Sequence, residues 1–473
     1  MSSSTRVAVV GAGISGLAAT YYLLKEAEHL GVQVEVDLLE KSRRLGGVIN
    51  TERSDGFLFE WGPENFVAFK PEAVRLVKEL GLEHELIGSN DDQRQTFVVS
   101  QGRIRALPDG MAFLAPVRLV PFMATSWLST TGKLRAMLEP FIPRSRGDLT
   151  VRRFLERRLG RELTTRVTEP LVSAIYGGDI DQLSMMSALS DTYRVEQKYG
   201  SLWNGLRKTR GNTRKDGAKV PFFVTLRSGM ETMVEGLSRT LGGARILLGL
   251  EDLVLEAHGD EFRMSAHGFS ERYSSVILAV PASAAAGLIR GIAPDSAAAL
   301  ESIEYSSTSL VYLAYKRDEF SHPLSGFGFV TPEAESEVLD ACTWVSTKYE
   351  NRCPADSVLL RCAIHDGRRP RAFPPDQALA EQVHREVARL LAISCRPTFA
   401  RVVHLGKSMP QMTLGHVSKL QRIQDATTRR RGLHITGPFY TGVGVPDCIR
   451  SGHQAARRVL GVDKEAAESG RGR

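Results

Sequence analysis

The first forty residues alternate between apolar runs and a stretch with helical periodicity. Residues 6–10 have the pattern of a buried strand, and residues 14–29 place apolar side chains at helical spacing. Residues 34–40 form a second apolar run that ends in a carboxylate. This order predicts a β–α–β unit, in which a helix connects two parallel strands.

A proline-rich apolar stretch and several helical patterns follow. Residues 107–146 have little strand character, whereas residues 149–173 and 185–206 have helical periodicity. We therefore predict a helical insertion in the middle of the chain. Further on, Ser228 and Glu231 have the spacing of a capping box, which predicts that Ser228 caps the start of a helix.

Strand patterns return after residue 245. Short alternating runs separated by Gly, His and Asp predict a β-meander over residues 246–280. Strands are also predicted at residues 309–315, 328–331, 341–345 and 357–363, and helices at residues 375–392 and after Pro446. The polar C-terminal stretch DKEAAESGRGR is predicted to be a disordered tail.

Composition and charge are those of a globular protein with two or three domains. The 473 residues are 42% hydrophobic and 24% charged, with a net charge of +7 that favours an anionic substrate or an acidic membrane surface. The basic cluster at residues 207–219 lacks interleaved aromatic residues, so we interpret it as a flexible loop and expect no nucleic-acid partner. We find no signal peptide pattern at the N-terminus.

Cysteine and histidine usage excludes two site classes. The five cysteines are odd in number and lack CxxC spacing, which argues against a disulfide framework or a zinc site and indicates a reducing compartment. The eleven histidines form no metal-like cluster, so we predict no metal site.

Two uncharged runs raise the question of a membrane. The run at residues 7–24 contains three spaced glycines, so a nucleotide-binding unit explains it better than a transmembrane helix. The run between Arg118 and Lys133 is too short to span a bilayer. Residues 111–144 therefore either form the roof of a substrate pocket, which we favour, or make peripheral contact with a membrane.

Gly11, Gly13 and Gly16 form a GxGxxG motif between the first predicted strand and helix. These glycines permit a tight turn, close approach of the backbone to a pyrophosphate, and close packing of helix on strand. A phosphate would then meet the N–H groups at the helix N-terminus. The second strand ends at Glu40, which is placed to bind ribose hydroxyls and would repel the 2′-phosphate of NADP. The alternative for Glu40 is a surface residue at a strand end.

Further glycine-rich elements distinguish a flavin from a nicotinamide cofactor. Arg44, Gly46 and Gly47 form an RxGG element, and GPEN follows at residues 62–65. Both elements, in this order, resemble the signature of FAD proteins in the amine oxidase superfamily, although a glycine turn between strands is the simpler alternative. In that superfamily the chain returns to the flavin at its C-terminus, where the segment GPFYTGVGVPDCIRSGHQ lies here. A helix N-terminus there stabilises the negative charge of the reduced ring.

Four motifs narrow the resemblance: GVGVPDCIRSG, EPLVSAIYGGDIDQLSM, KSMPQMTLGH and GPENFVAFKPE. Together they resemble the protoporphyrinogen/coproporphyrinogen III oxidase family of haem biosynthesis, soluble bacterial type, over residues 6–460. The resemblance implies stepwise hydride transfer from the porphyrinogen to N5 of FAD, with O2 reduced to H2O2. It implies no catalytic side chain, because the flavin itself accepts the hydride.

The resemblance also implies which residues bind FAD, which is held without a covalent bond. Cys448 is interpreted as a packing residue rather than an attachment site. The implied contacts lie in the glycine loops, at the second strand, in the predicted meander and at the last helix: Gly11, Ala12, Gly13, Ile14, Ser15, Gly16, Glu40, Lys41, Arg44, Gly47, Val48, Gly62, Pro63, Glu64, Asn65, Val254, Val445, Pro446 and Asp447.

A flat, reduced tetrapyrrole with acidic side chains needs an apolar slot and a cation. The resemblance implies that Lys70 binds a propionate, that Ile175 packs on the macrocycle and that Leu310 is a third contact. The alternatives are a solvated lysine before a helix for Lys70 and an ordinary core residue for Ile175. Coproporphyrinogen III and protoporphyrinogen IX both remain candidate substrates.

The predicted fold is α/β with α+β character. It combines a Rossmann-like FAD-binding domain, a substrate domain with a mixed or antiparallel sheet, and the helical insertion. The FAD-binding domain is predicted to consist of residues 1–106, 220–290 and 400–473. The substrate domain is predicted at residues 291–399 and the helical insertion at residues 107–219. We expect a cytoplasmic protein, with peripheral association with the membrane as the alternative. The candidate partners are a porphyrinogen, O2 and a ferrochelatase-type enzyme that acts next.

Two other classes stay open on the residues alone. Another flavin oxidoreductase, such as an amine oxidase or a carotenoid desaturase, would share the glycine motifs. A flavin-free binding protein similar to the GDP dissociation inhibitors would share the fold without the cofactor.

Overall fold

The computed structural model describes residues 5–108, 110–112, 114–211, 221–367 and 373–462. Residues 212–219 of the basic cluster and the predicted tail at residues 463–473 lie outside the described residues. The predicted N-terminal β–α–β unit is confirmed, with its helix at Ile14–Leu30 between two paired parallel strands. This unit is the centre of a larger sheet.

Five parallel strands form that sheet. Their order across the sheet is Ala244–Leu248, Val34–Glu40, Thr5–Val10, Ser275–Leu278 and Leu433–Ile435. Helices Ile14–Leu30, Glu231–Thr240 and Val445–Leu460 cover one face, and helices Ala282–Ile289, Pro294–Glu301 and His416–Arg429 cover the other. The strands are apolar on both faces because both faces are buried, as in doubly wound folds.

A second sheet has seven strands, arranged in the order Phe399–Pro410, Tyr305–Lys316, Ser357–His365, Ala341–Trp344, Gly328–Val330, Thr96–Ser100 and Arg103–Ala106. All neighbours are antiparallel except Gly328–Val330 and Thr96–Ser100, so the sheet is mixed, as expected. Helix Asp376–Leu391 packs on one face. The other face packs against Phe57, Phe59 and Trp61.

Three strands of this sheet come from segments that the sequence analysis assigned to the dinucleotide-binding domain. They are Thr96–Ser100, Arg103–Ala106 and Phe399–Pro410. Their hydrogen-bonding partners lie in the seven-stranded sheet, which local alternation cannot reveal because it carries no information about strand partners.

The helical insertion is confirmed as a bundle of short helices with its own apolar core. Arg158 is fully buried inside it and forms ion pairs with Glu139 and Glu196. Two very short strands, Met111–Ala112 and Ala115–Pro116, precede the helices. The helices are Leu119–Ala124, Thr130–Met137, Val151–Leu159, Arg161–Leu163, Glu169–Tyr176, Met185–Ala188, Ser190–Tyr199 and Leu202–Gly211.

The predicted β-meander is smaller than expected. Only Val254–His258, Glu261–Ala266 and Phe269–Tyr273 form it, whereas the flanking strands belong to the parallel sheet. Short elements complete the fold: the hairpin Thr51–Ser54 and Phe57–Glu60, the small sheet of Phe66–Val67, Leu86–Gly88 and Phe223–Leu226, and helices Pro71–Glu79, Val345–Lys348 and Pro438–Thr441.

The predicted capping box is wrong. The helix begins at Glu231, and the amide and hydroxyl of Ser228 instead donate to the carboxylate of Glu85 at 2.8 and 3.2 Å. The carboxylate of Glu231 accepts the amide of Thr51 at 3.1 Å. Partners that are distant along the chain therefore replace the local hydrogen bonds that the spacing suggested.

Candidate active site

The carboxyl edge of the parallel sheet carries the GxGxxG loop. Gly11 has a φ of +98°, and a β-carbon there would lie 2.6 Å from the carbonyl oxygen of Ala279. A β-carbon on Gly16 would overlap the carbonyl oxygen of Gly11. A β-carbon on Gly13 would meet no atom within 4 Å, so open space lies in front of this loop. The glycine pattern therefore produces the turn, the packing and the free approach that a diphosphate needs.

Glu40 ties the second strand to this loop. Its carboxylate accepts the amide of Ala12 at 2.6 Å and the amide of Ser42 at 2.8 Å. The helix that follows the loop has no side-chain cap and no acidic residue in its first turn. Its N-terminal N–H groups are therefore available to an anion.

The RxGG loop lies directly against the first glycine loop. The amide of Gly46 donates to the carbonyl of Ala12 at 2.8 Å, and a β-carbon on Gly47 would lie 3.0 Å from the Cα of Gly13. The guanidinium of Arg44 donates to the carbonyls of Leu45 and Ile49 at 3.1 and 3.0 Å, and also to Gly47. Arg44 thus holds the loop in a tight curl beside the open space at Gly13.

The GPEN element meets the RxGG loop from the other side. A β-carbon on Gly62 would overlap the carbonyl oxygen of Val48. The carbonyl of Gly62 accepts a hydrogen bond from Arg361 at 2.8 Å, and the Glu64 carboxylate pairs with Lys348 at 2.9 Å. Three predicted cofactor elements are therefore in direct contact with one another.

The C-terminal segment completes the same region. Helix Val445–Leu460 begins one residue before Pro446 and has Gly444 as an N-cap without a side-chain hydrogen bond. A β-carbon on Gly452 would overlap the carbonyl oxygen of Ser15, and Arg457 pairs with Glu26 at 3.6 Å. The contacts advance in the same direction along both helices. The first and last helices are therefore parallel, and their positive N-terminal ends lie at the same edge of the sheet.

Lys70 and Asp447 form an ion pair at this edge. The ammonium nitrogen lies 2.7 and 2.9 Å from the two carboxylate oxygens. Arg450 also pairs with Asp447 and reaches Glu72 at 3.1 Å, so residues at the start of helix Pro71–Glu79 are bound to the last helix. Asp191 of the helical insertion lies 4.0 Å from the Lys70 ammonium. The predicted substrate cation thus stands where three parts of the chain meet.

The three predicted substrate residues differ in their surroundings. Lys70 is partly buried, and Ile175 at the end of helix Glu169–Tyr176 is 44% exposed, which excludes the core alternative for that side chain. Burial raises the pKa of the neighbouring Tyr176, and the carboxylates of Asp447 and Asp191 add to this effect, so the helix end lies close to the Lys70 pair. Leu310 is buried in strand Tyr305–Lys316.

Five predicted cofactor contacts are exposed: Lys41, Arg44, Gly47, Val48 and Val254. Val254 starts the three-stranded meander and is 51% exposed, and Val48 in the RxGG loop is 50% exposed. Cys448 is buried, with its sulfur 3.8 Å from the carbonyl of Gly442, and burial raises the pKa of its thiol to about 12.

Sequence reasoning missed a group of buried charges beneath the GPEN element. Glu60, Lys348 and Arg352 are buried, and Arg361 lies between apolar residues in the middle of strand Ser357–His365. The available signal was the pattern itself. Glu60 and Arg361 are long charged residues within apolar strand segments and so require a buried partner, because an unpaired charge is costly there.

Comparison with known proteins agrees with this arrangement. The family model described as flavin containing amine oxidoreductase matches residues 14–460, and the chain belongs to that family. A flavin is therefore its cofactor. The expected resemblance to the porphyrinogen oxidases is also confirmed by the relatives that follow.

The chain is 32% identical to coproporphyrinogen III oxidase of Bacillus subtilis, with 96% of this chain and 97% of that protein covered. It is 31% identical to protoporphyrinogen oxidase of Homo sapiens, with 97% and 98% covered. Its fold is similar to the crystal structure of a proposed protoporphyrinogen oxidase from Exiguobacterium sp. 255-15, with a TM-score of 0.83, 29% identity, and 97% and 99% of the two chains covered.

The residues present fit a flavin nucleotide. Two uncapped helix N-termini point to one edge, and the space before Gly13 is open. Within the described part of the chain, the buried Oε1 atom of Glu64 has no hydrogen-bond partner. A buried acceptor without a partner is costly, and a ligand N–H group would satisfy it.

Proposed function

We propose that this protein is an oxygen-dependent porphyrinogen oxidase of haem biosynthesis. It would oxidise coproporphyrinogen III, protoporphyrinogen IX or both to the porphyrin, with H2O2 as the second product. The observation that carries this proposal is the similarity to coproporphyrinogen III and protoporphyrinogen oxidases over at least 96% of this chain. The pairing of Lys70 with the C-terminal flavin segment supports it further.

The cofactor in this proposal is FAD bound without a covalent link. A dinucleotide is supported by the glycine loop, the open space before Gly13 and the carboxylate of Glu40 close to that loop. A non-covalent mode is supported by Cys448, whose buried thiol has a raised pKa and so has little of the thiolate that covalent attachment would need. When bound, the flavin supplies the electron acceptor and the site of O2 reduction.

The chain itself supplies binding, orientation and charge. Lys70 offers a fixed cation to a substrate carboxylate, because Asp447 holds its ammonium group in place. The exposed side chain of Ile175, near this pair, offers an apolar surface to a flat macrocycle. Leu310, which is more deeply buried, is the third proposed contact with the substrate. The Gly62–Asn65 backbone would face the ring system of the flavin.

A single preparation of the purified protein tests whether it is a porphyrinogen oxidase, another flavin oxidoreductase or a binding protein. We expect the purified protein to be yellow, to release FAD on denaturation and to oxidise a porphyrinogen with consumption of O2. Turnover of amines or polyenes without turnover of a porphyrinogen would favour the other flavin oxidoreductases. A colourless protein that FAD does not reconstitute would favour a binding protein instead.

A second measurement decides between the two substrates. Coproporphyrinogen III carries four carboxylates and protoporphyrinogen IX carries two, so only the former presents a carboxylate on every pyrrole ring. The soluble bacterial resemblance favours coproporphyrinogen III or a relaxed enzyme that accepts both. Side-by-side kcat/KM values on the two compounds would measure the preference directly.

Location and partners belong to the same proposal. We place the protein in the cytoplasm, with a ferrochelatase-type enzyme as the consumer of its product. Among the described residues, no helix is long and apolar enough to cross a bilayer. Peripheral contact is supported by exposed apolar side chains of the insertion, with Val120 79% and Phe141 81% exposed. Co-sedimentation with anionic vesicles at physiological salt would detect it, and absence from the pellet would favour the pocket-roof role.

A further inference from the structure

A group of buried charges lies beneath the GPEN element and outside the predicted cofactor and substrate contacts, apart from Glu64. This charge cluster consists of Glu60, Glu64, Lys348, Arg352 and Arg361. Glu60, Glu64, Lys348 and Arg352 are each less than one-tenth exposed. Charges are rarely taken out of water to this extent without a partner or a task.

The cluster contains one direct ion pair. The ammonium of Lys348 lies 2.9 Å from the carboxylate of Glu64, and it also lies over the rings of Phe223 and Tyr349 at 4.7 and 5.1 Å. Burial alone would raise the pKa of Glu64, but Lys348 and Arg361 outweigh burial and hold that pKa below its ordinary value. Glu64 is therefore a buried carboxylate that stays ionised.

The two arginines donate to neutral oxygen atoms. Arg352 donates to the carbonyls of Leu226 and Arg227 at 2.9 and 3.0 Å, and Arg361 donates to the carbonyl of Gly62 at 2.8 Å. Within the part of the chain that the structure describes, neither guanidinium forms a direct ion pair with a carboxylate. Three cations thus face two carboxyl groups, and the cluster has an excess of positive charge directly behind the GPEN backbone.

We infer that this cluster positions the GPEN backbone and stabilises the added negative charge of the reduced flavin, with Lys348, Arg352 and Arg361 as positioning residues. Fixed charges in a poorly solvated interior act strongly on a charge that develops nearby. The cluster is fixed because it joins the GPEN loop, the strand Phe223–Leu226 and the seven-stranded sheet through the contacts above. The inference rests on the proposed function, since it needs the flavin ring next to residues 62–65.

A purely structural cluster makes a different prediction. A buried ion pair often adds little stability compared with apolar residues of the same shape, whereas removal of one partner is costly. Loss of either Lys348 or Glu64 would then damage the protein in the same way. An electrostatic role instead requires that the two losses shift the reduction potential of the bound flavin in opposite directions.

The experiment compares four proteins loaded with FAD: the wild type, Lys348→Met, Glu64→Gln and the double variant. Lys348→Met leaves an unpaired carboxylate and should weaken binding of reduced FAD relative to oxidised FAD about tenfold, which is about 30 mV in a two-electron potential. Glu64→Gln should instead strengthen the binding of reduced FAD relative to oxidised FAD, which raises the potential. The double variant should lie between the single variants. Lys316→Met, a lysine that is 62% exposed, should leave the potential unchanged.

Measured potentials, FAD dissociation constants and Tm values separate the outcomes. Opposite shifts of the flavin reduction potential in Lys348→Met and Glu64→Gln support the inference. Shifts of the same sign, or no shift in either variant, overturn it. If Lys348→Met does not fold, Arg361→Gln replaces it as the variant expected to lower the potential, and an unchanged potential there overturns the inference equally. A wild type that binds no FAD overturns the proposed function as well, and the lack of colour identifies that case before any variant is made.

Discussion

The ammonium of Lys70 binds both carboxylate oxygens of Asp447, 377 residues further along the chain, at 2.9 and 2.7 Å. The side chain of Asp447 is only 5% exposed, whereas that of Lys70 is 24% exposed. The pair therefore fixes a cation at the surface of the site by means of a buried anion. A substrate carboxylate that binds Lys70 must share it with Asp447.

Replacement of Lys70 by alanine should raise KM for both porphyrinogens by roughly ten- to hundredfold, because a hydrogen bond to a charged group contributes about 1.5–3 kcal/mol. Steady-state kinetics would measure the change. Lys78→Ala is the matched control, since that lysine lies on the helix that Lys70 precedes and is 52% exposed. Unchanged KM and kcat in Lys70→Ala would refute the role in propionate binding.

Replacement of Ile175 by asparagine should lower kcat/KM for a porphyrinogen about fivefold and lower Tm by no more than about 2–4 °C. The side chain is 44% exposed, so about half of its apolar surface remains to be covered by a ligand, and that contributes about 1 kcal/mol. Val32→Asn is a suitable control, because Val32 is 47% exposed in a loop after the first helix. Equal effects of both substitutions on kcat/KM would argue against a contact between Ile175 and the substrate.

Replacement of Gly452 by alanine should destabilise the protein and weaken FAD binding together. A β-carbon there would overlap the carbonyl oxygen of Ser15, so the first and last helices would have to separate, at a cost of about 1–3 kcal/mol. Gly287→Ala is the control, since a β-carbon at this helical glycine meets no atom within 4 Å. That control should gain roughly 0.5–1 kcal/mol. FAD titration and thermal unfolding would test both, and an unaltered FAD affinity in Gly452→Ala would contradict the shared site.

Glu60 should make stability depend on pH. Burial raises the pKa of its carboxyl group from 4.5 to about 7. The native protein then holds a proton that the unfolded chain has released, so this contribution is fully present below about pH 4.5 and is lost as the pH rises through about 7. The two pKa values correspond to roughly 3 kcal/mol. The free energy of unfolding of wild type, measured against that of Glu60→Gln, should fall between pH 5 and 8, and a constant difference would show that Glu60 titrates normally.

Much of the fold could be predicted because its signals are local. The first strand and helix, the helix Asp376–Leu391 and four of the seven strands of the second sheet follow from periodicity within a few residues. The size of the meander and the cap at Ser228 could not be predicted. Both depend on which distant segment offers the better hydrogen-bond partner, as Glu85 does for Ser228.

The candidate site divides in the same way. The roles of Gly11, Gly13 and Gly16 were predictable, because the strand–turn–helix geometry leaves no room for a side chain at these positions when a diphosphate is bound. The charges of Lys348 and Arg361 were not singled out. Lys348 looks like an ordinary charged residue until the fold places it next to Glu64, and Arg361 differs from its apolar strand neighbours, but only the fold shows that it donates to Gly62.

The β–α–β unit, the glycine loops and the family resemblance could all be inferred before the fold was known, since spacing along the chain encodes all three. The folded structure was needed to show that Lys70 pairs with Asp447, that the first and last helices are parallel at one edge, and that a charge cluster lies behind the GPEN backbone. These are contacts between residues tens to hundreds of positions apart. Their energies depend on burial and distance, which exist only once the chain has folded.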